Sequence, residues 1–251
     1  VGLEGFVEAA RLPPWPHETI RMGAMGRILT ALRANGCQDV VMIGPVRRPS
    51  LFDMRPDAIG TKILARIGRA AFAGDDGLLA AVIKVLGEEG FRVLGAHEIL
   101  QEALGPQGLL TRLGPDAAAM SDIARGTAVA RTLGAVDVGQ GCVVQQGFVL
   151  AVEAIEGTDA MLARCGPLAR SAPGGVLVKV VKPGQERRAD LPTIGPATVA
   201  AAAAAGLRGI AFEAGGALLV DRDATVAAAD KAGLFLLGLG PDDIDPGSSP
   251  S

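Results

Sequence analysis

The 251-residue chain has no tyrosine, one tryptophan and only 3% aromatic residues, so a buried core must be assembled from Ala, Val, Leu and Ile. Its two histidines, His17 and His97, stand far apart and lack the spacing of a helical metal-binding pair. Three cysteines (Cys37, Cys142 and Cys165) at wide, unrelated intervals make neither a disulfide framework nor a zinc pattern, and point to a reducing cytoplasm. No apolar run reaches the roughly 18 residues needed to span a bilayer, and no signal-peptide pattern is visible. With 24 basic and 27 acidic residues the net charge is −3, which gives no overall pull toward nucleic acid. An anionic ligand would have to be met by local patches. The first residue is Val, and the natural N-terminus is expected to lie upstream of it.

What is present is globular. Hydrophobic residues make up 49% and charged residues 20%, over a length that suits one large or two small domains. Met25, Ile28, Leu29 and Leu32 recur at helical spacing and Gly36 follows as a stop. Asp39–Gly44 reads as a buried strand. Leu78, Leu79, Val82, Ile83 and Leu86 form a second helical face, opened by Asp75 and Asp76 and closed by Gly90, and Phe91–Leu94 reads as the next strand. This alternation predicts an α/β fold whose first domain, residues 1–103, is a Rossmann-like parallel sheet, with ligands bound at the carboxyl ends of its strands.

Glycine and proline at Gly105-Pro106, Gly108 and Gly114-Pro115 mark a connector over 104–118. Beyond it a helix is expected over 119–133, then a hairpin from Cys142–Val144 and Phe148–Val152. Strands follow at Val176–Val181, Gly209–Phe212, Ala217–Val220 and Leu234–Leu239, with helices at Ala197–Ala205 and Ala224–Lys231 and a tight turn at Gly215-Gly216. The reading is a second, mixed α/β (α+β) domain over 119–240, a substrate cleft between the two domains, and a disordered tail over 241–251.

The segment from Lys179 to Gly195 carries the strongest chemical signal. It places Lys179, Lys182, Arg187 and Arg188 beside one carboxylate, Asp190, just before an expected helix start at Pro192-Thr193, with Thr193 as its cap. Cations, a helix N-terminus and a carboxylate together suit a phosphate ester held with a metal ion, and Gln185 and Thr193 can hydrogen-bond phosphate oxygens. A solvated charged loop is the competing reading. A second constellation is Glu153 to Leu162, where Thr158 is expected to cap a helix carrying Asp159 in its first turn. Glu156, Thr158 and Asp159 are candidates for sugar hydroxyls or a Mg²⁺ ion; helix capping alone also accounts for them. The turn Val138-Gly139-Gln140-Gly141 lacks the third glycine of a dinucleotide fingerprint. Arg47 follows a strand end where a nucleotide phosphate could sit, and His97-Glu98 reads as a base with its orienting acid or as a structural pair.

Taken together, Glu156-Gly-Thr-Asp159-Ala-Met, Gly95-Ala-His97-Glu98, Val138-Gly-Gln140-Gly141 and, above all, Lys182-Pro-Gly-Gln185 through Asp190-Leu-Pro-Thr193-Ile-Gly195 resemble the LpxI-type UDP-2,3-diacylglucosamine pyrophosphatases. The resemblance runs in order over nearly the whole chain. It implies Mg²⁺-dependent hydrolysis of the diphosphate of a UDP-linked diacylated glucosamine lipid, releasing UMP and the lipid monophosphate called lipid X, in lipid A biosynthesis of Gram-negative bacteria. It implies Asp190 as the essential aspartate, serving as catalytic group and metal ligand. Substrate contacts are expected from Lys179, Lys182, Gln185, Arg187, Arg188, Thr193, Gln140, Glu156, Thr158, Asp159 and Arg47. Members of that family begin with a strand and an Ala-Gly-Gly-Gly loop that this chain does not contain. The expected location is the cytoplasm, with a peripheral contact at the inner membrane and a homo-oligomer both left open. Two rival functions stand beside this reading: a non-catalytic nucleotide-sugar or lipid-binding module, and a nicotinamide-dependent oxidoreductase.

Overall fold

The fold was analysed in a computed structural model that describes residues 1–7, 16–44, 55–68 and 75–244. By internal contacts the chain divides into two units: Val1–Ala96 together with Glu186–Ala189, and His97–Gln185 together with Asp190–Ser251.

In the first unit, β1 (Gly2–Leu3) pairs in parallel with β2 (Thr19–Ile20). Helix α1 (Met25–Ala34) leads to β3 (Asp39–Val41). Helix α2 (Ala58–Ile67) was not foreseen. Its cap, Asp57, accepts from Gly60 N at 2.6 Å through Oδ1 and from Gly26 N in α1 at 2.9 Å through Oδ2, so one carboxylate serves two helix N-termini. Helix α3 (Asp75–Glu88) then feeds β4 (Arg92–Leu94), which pairs in parallel with β3. Leu29, Ile63, Ile67, Ile83, Val85, Leu86, Phe91 and Val93 form the core of this unit. A short helix α4 (Ala96–Ile99) follows.

The second unit is built on a six-stranded sheet. Its strands are β5 (Gly108–Leu109), β6 (Gly141–Gln145), β7 (Phe148–Val152), β8 (Val176–Lys179), β10 (Gly209–Glu213) and β12 (Phe235–Leu239). A separate parallel pair joins β9 (Thr193–Ile194) to β11 (Leu218–Leu219). The large sheet runs β5-β12-β10-β8-β6-β7; β8, β10 and β12 are parallel, while β5 and β6 run antiparallel to their neighbours. Its helices are α5 (Ala117–Gly134), α6 (Gly157–Cys165), α7 (Pro196–Ala204), α8 (Arg222–Ala232) and α9 (Pro241–Ile244).

Strand alternation assigns the faces. Val143, Leu177, Ile210, Phe212 and Leu236 point toward Met161, Leu162, Val199, Ala202 and Ala229 of α6, α7 and α8. Cys142, Val144, Val176, Val178, Ala211 and Phe235 point toward Ala119, Ile123 and Ala130 of α5 and Ile244 of α9. Both faces are covered, so this half is layered α/β and not segregated α+β. One device recurs at four helix ends. Gly36, Gly90, Gly206 and Gly233 all take positive φ, and the next residue's N–H returns to the carbonyl five residues earlier, as in Cys37 to Leu32 and Leu234 to Ala229. Each such stop delivers the chain into a parallel strand.

Three expectations need correction. The connector over 104–118 contributes β5, which pairs along the edge strand β12, so it belongs to the sheet. The tail is not irregular from its start, since Pro241–Ile244 is helical and Ile244 is buried. No helix begins at Pro192-Thr193. Thr193 opens β9, and the helix starts three residues later, with Gly195 in the cap position and Pro196 as its first residue. Among the described residues no helix is long and apolar enough to cross a membrane.

Candidate active site

Four chain segments meet at the carboxyl edge of the parallel strands. β8 ends at Lys179, β10 ends at Glu213, β6 begins at Gly141 opposite Lys179, and β7 runs straight into Glu153. Ligands of layered α/β sheets bind at this edge, where loops are free to carry polar groups.

The first polar network grows from a tight turn, Lys182-Pro183-Gly184-Gln185. Pro183 fixes the second position, Gly184 takes φ +78° at the third, and Gln185 N–H closes the turn on Lys182 O at 3.1 Å. The turn leaves the Gln185 side chain buried and fully used. Its Oε1 accepts from Lys182 N at 2.9 Å, while Nε2 donates to Gln140 Oε1 at 3.1 Å and to Asp190 Oδ2 at 2.6 Å. Asp190 is thus gripped by one oxygen, and its Oδ1 carries no hydrogen bond among the described residues. Lys182 is buried with its Nζ 2.6 Å from Asp137 Oδ1, and its stem passes close to Gly134, where an added Cβ would lie 3.1 Å from Lys182 Cγ.

A second network lies beside the first. Lys179, 3% exposed, donates through Nζ to Thr158 Oγ1 at 2.5 Å. Thr158 donates in turn to Glu153 Oε1 at 2.9 Å, and Glu153 Oε2 stands 3.7 Å from Lys179 Nζ, buried and without a hydrogen bond among the described residues. This explains the Gly-Gln-Gly turn. A Cβ on Gly139 would sit 2.0 Å from Glu153 O, and one on Gly141 would sit 2.5 Å from Glu153 Oε2. The two glycines clear space for Glu153. Glu213 Oε2 completes the edge by accepting from Val181 N at 3.0 Å.

The structure therefore gathers Gln140, Thr158, Lys179, Lys182, Gln185 and Asp190 at one edge. Thr158 does not cap α6 as expected; it lies in the first turn, its hydroxyl drawn to Glu153 and Lys179. Glu156 points away, exposed and paired with Arg164 at 2.8 Å, and hydrogen bonds from its own backbone amide and Arg164 hold its carboxyl below the ordinary range. Asp159 is exposed on α6. Thr193 is exposed and donates to Leu191 O at 3.2 Å, so it offers no helix N-terminus. Arg188 grips Glu186 through two bonds of 2.7 and 2.8 Å and lowers that carboxyl's pKa. Arg187 is exposed, and Arg187 and Arg188 both group with the first unit. Arg47 lies outside the described residues.

The expectation of a single acid ringed by cations also gives way. Asp190 is held by the neutral Gln185 amide, and the lysines at this edge already have carboxylate partners in Glu153 and Asp137. Sequence reasoning assigned no role to Glu153, Asp137 or Glu213. Among the described residues no three acids, histidines or cysteines converge into a ready-made metal cage.

Family profiles place this architecture. The LpxI N-terminal domain matches residues 1–103, and the LpxI C-terminal domain matches residues 106–237. The chain belongs to the LpxI family. A curated LpxI, the UDP-2,3-diacylglucosamine pyrophosphatase LpxI of Caulobacter vibrioides, is 48% identical over 245 residues, covering 95% of this chain and 87% of that relative. In LpxI terms, both networks fall within the matched C-terminal domain.

Proposed function

We propose that this chain hydrolyses the diphosphate of UDP-2,3-diacylglucosamine, giving UMP and 2,3-diacylglucosamine 1-phosphate. The observation that carries the reading is the 48% identity to an LpxI pyrophosphatase across 95% of the chain. The polar edge supports it with suitable chemistry. Hydrolysing a diphosphate at neutral pH requires the anion's charge to be offset so that water can approach phosphorus. Asp190, held at one oxygen and open at the other, is placed to hold a metal ion or orient the attacking water. Lys182 and Lys179 bring two oriented ammonium groups to this edge, each paired with a carboxylate that an incoming diphosphate would have to displace.

Mg²⁺ fits this donor set. It is commonly bound by one or two carboxylates plus substrate phosphates and water, so the open oxygen of Asp190 is a suitable donor. Asp190 would hold it, and the ion would supply charge neutralisation at the phosphates.

The test is direct. Incubation with UDP-2,3-diacylglucosamine and Mg²⁺ should release UMP, and a chelator should stop it. Asp190→Asn should lower turnover by ~10³ or more, the scale expected when an electrostatic group of the transition state is removed. Turnover near wild type in that variant would take Asp190 out of the mechanism, and tight binding without UMP release would favour a binding module.

A further inference from the structure

The stop that ends four helices with glycine also ends α5, and there the residue is Asp137. Its φ is +55°, its N–H bonds Gly134 O at 3.0 Å, and Val138 N–H returns to Leu133 O at 3.1 Å. The matching residues elsewhere are Gly36, Gly90, Gly206 and Gly233. Two local rules are broken at once. Glycine enters left-handed backbone without steric cost, whereas an L side chain there is strained. A carboxylate at a helix C-terminus also faces the negative end of the helix dipole. Local preference would put glycine or a cation at 137. A locally unfavourable residue held in an otherwise consistent fold points to a duty of its side chain.

That duty shows in the contacts. Asp137 Oδ1 lies 2.6 Å from Lys182 Nζ. The Lys182 stem is pressed on the last turn of α5, where a Cβ on Gly134 would stand 3.1 Å from Lys182 Cγ. The partners are unequally buried: the Lys182 side chain is 9% exposed and that of Asp137 28%. The carboxylate is therefore the solvent-ward partner, standing where an anion would approach the ammonium. Lys182 also opens the turn whose Gln185 amide holds Asp190, so that ammonium belongs to the network around Asp190.

We infer that Asp137 is a built-in counter-ion standing in for a phosphate oxyanion: it holds the anion position on Lys182 until a phosphate of the substrate displaces it. The identity of that ligand rests on the pyrophosphatase reading; the anion position itself rests on the Asp137–Lys182 pair. A lysine ammonium takes carboxylate and phosphate oxygens alike. The left-handed backbone and the helix dipole both weaken the hold of Asp137, so a more highly charged diphosphate can replace it. The displacement opposes every anion equally. Inorganic phosphate has few other contacts to offset it, whereas a diphosphate ester has many, and Lys182 is thereby kept from small anions.

The experiment measures by calorimetry, without added metal, the affinity of the full chain for inorganic pyrophosphate and inorganic phosphate. Thermal unfolding serves as a fold check, and KM for UDP-2,3-diacylglucosamine is taken alongside. Asp137→Asn removes the charge while keeping the volume and a residue type that tolerates left-handed backbone. Both inorganic anions should bind about tenfold tighter, the scale of removing one competing charge from a partly screened site, and KM should fall. A merely structural role predicts the opposite sign, since a disturbed site binds more weakly. Asp137→Gly, the residue of the other four stops, should tighten binding in the same way and serves if the Asn variant does not fold. Asp137→Asn/Lys182→Met should lose the gain. Asp116→Asn, the same charge change at the far end of α5, should leave affinity unchanged. Unchanged or weaker pyrophosphate binding in a folded variant overturns the inference, as does a gain that survives Lys182→Met. So does the absence of pyrophosphate binding in every variant, or the failure of both Asp137 variants to fold. Tighter inorganic anions with no fall in KM would make Lys182 a free-phosphate site and overturn the substrate's part in it. If wild type does not cleave UDP-2,3-diacylglucosamine, the enzymatic reading has failed, and the pyrophosphate affinities alone decide the role of Asp137.

Discussion

Replacing Gln185 with Leu keeps the volume of a buried side chain and deletes three hydrogen bonds at once. Left behind are Lys182 N–H, Gln140 Oε1 and Asp190 Oδ2, formerly 2.9, 3.1 and 2.6 Å from the amide. Gln140 and Asp190 are half-buried and can take water instead. The Lys182 amide sits in a buried residue, and an orphaned buried donor costs about 1–3 kcal/mol. The stability loss for Gln185→Leu should therefore be about 2 kcal/mol, measured by urea unfolding. The effect on turnover should be larger. Nothing else in the described residues hydrogen-bonds Asp190, so its carboxylate becomes free to rotate, and a misplacement of ~1 Å at a reacting group costs on the order of 10²-fold. UMP release should show kcat falling by that factor with KM little changed. Gln185→Glu sharpens the test by keeping the acceptor for Lys182 N–H while putting a second carboxylate against Asp190. That variant should lose turnover at least as severely, and its loss of stability should be at least as large, because a buried carboxylate then faces two acceptors. Wild-type kcat in Gln185→Leu would refute the claim that this amide positions Asp190.

Other expectations follow from groups farther from the chemistry. Asp116 caps α5 through Ala119 N at 2.8 Å and pairs with Arg208, and these contacts, the cap first, hold its carboxyl below the ordinary range. A lowered folded-state pKa gives stability that is present above the unfolded value of about 3.9 and lost as pH falls through the folded one. The unfolding temperature should thus drop more steeply below about pH 4 in wild type than in Asp116→Asn, which keeps the cap without the charge. Burial pushes the Cys142 thiol up to about 12 and raises Cys165, while Cys37 is partly exposed. At pH 8 a thiol reagent should therefore label one cysteine in native protein and three in denaturant. Two fast equivalents would contradict the buried placement. Glu153→Ala should destabilise by about 3–5 kcal/mol by stranding the Lys179 ammonium, and Glu153→Ala/Lys179→Met should recover much of that loss. Strictly additive losses in urea would show that the two do not act as a pair.

Much of the frame was legible because its signals are local. The α1 face from Met25 to Leu32, the stops at Gly36 and Gly90, the hairpin around Gln146-Gly147 and the strands at 176, 209 and 235 all follow from periodicity and turn chemistry within a dozen residues. Failures occurred where a partner lies far along the chain. Pro192-Thr193 and Gly195-Pro196 are both acceptable helix starts, and the choice is made by Leu218 N–H, which bonds Pro192 O at 2.7 Å and draws Thr193-Ile194 into β9. Thr158 looked like a cap because Lys179, 21 residues away, was not in view. Helix α2 went unread despite Asp57 before it and apolar Ile63 and Ile67 four residues apart, so that omission was not forced by missing information.

The candidate site divides along the same line. Residue types and their order pointed to Asp190, Gln185 and the two lysines, because an Asp-Leu-Pro-Thr stretch after a Lys-Pro-Gly-Gln turn is a local text. The counter-charges were hidden, since Asp137 reaches Lys182 across 45 residues and Glu153 reaches Lys179 across the sheet edge. Their presence changes the physical picture of the site. Four bare cations around one acid would repel one another in the empty protein and collapse onto any anion nonselectively. Paired lysines are different: each ammonium is already oriented and neutralised, so an incoming diphosphate competes with a carboxylate for it. Selectivity then depends on whether a ligand's phosphates can replace Glu153 and Asp137 at the two ammonium groups.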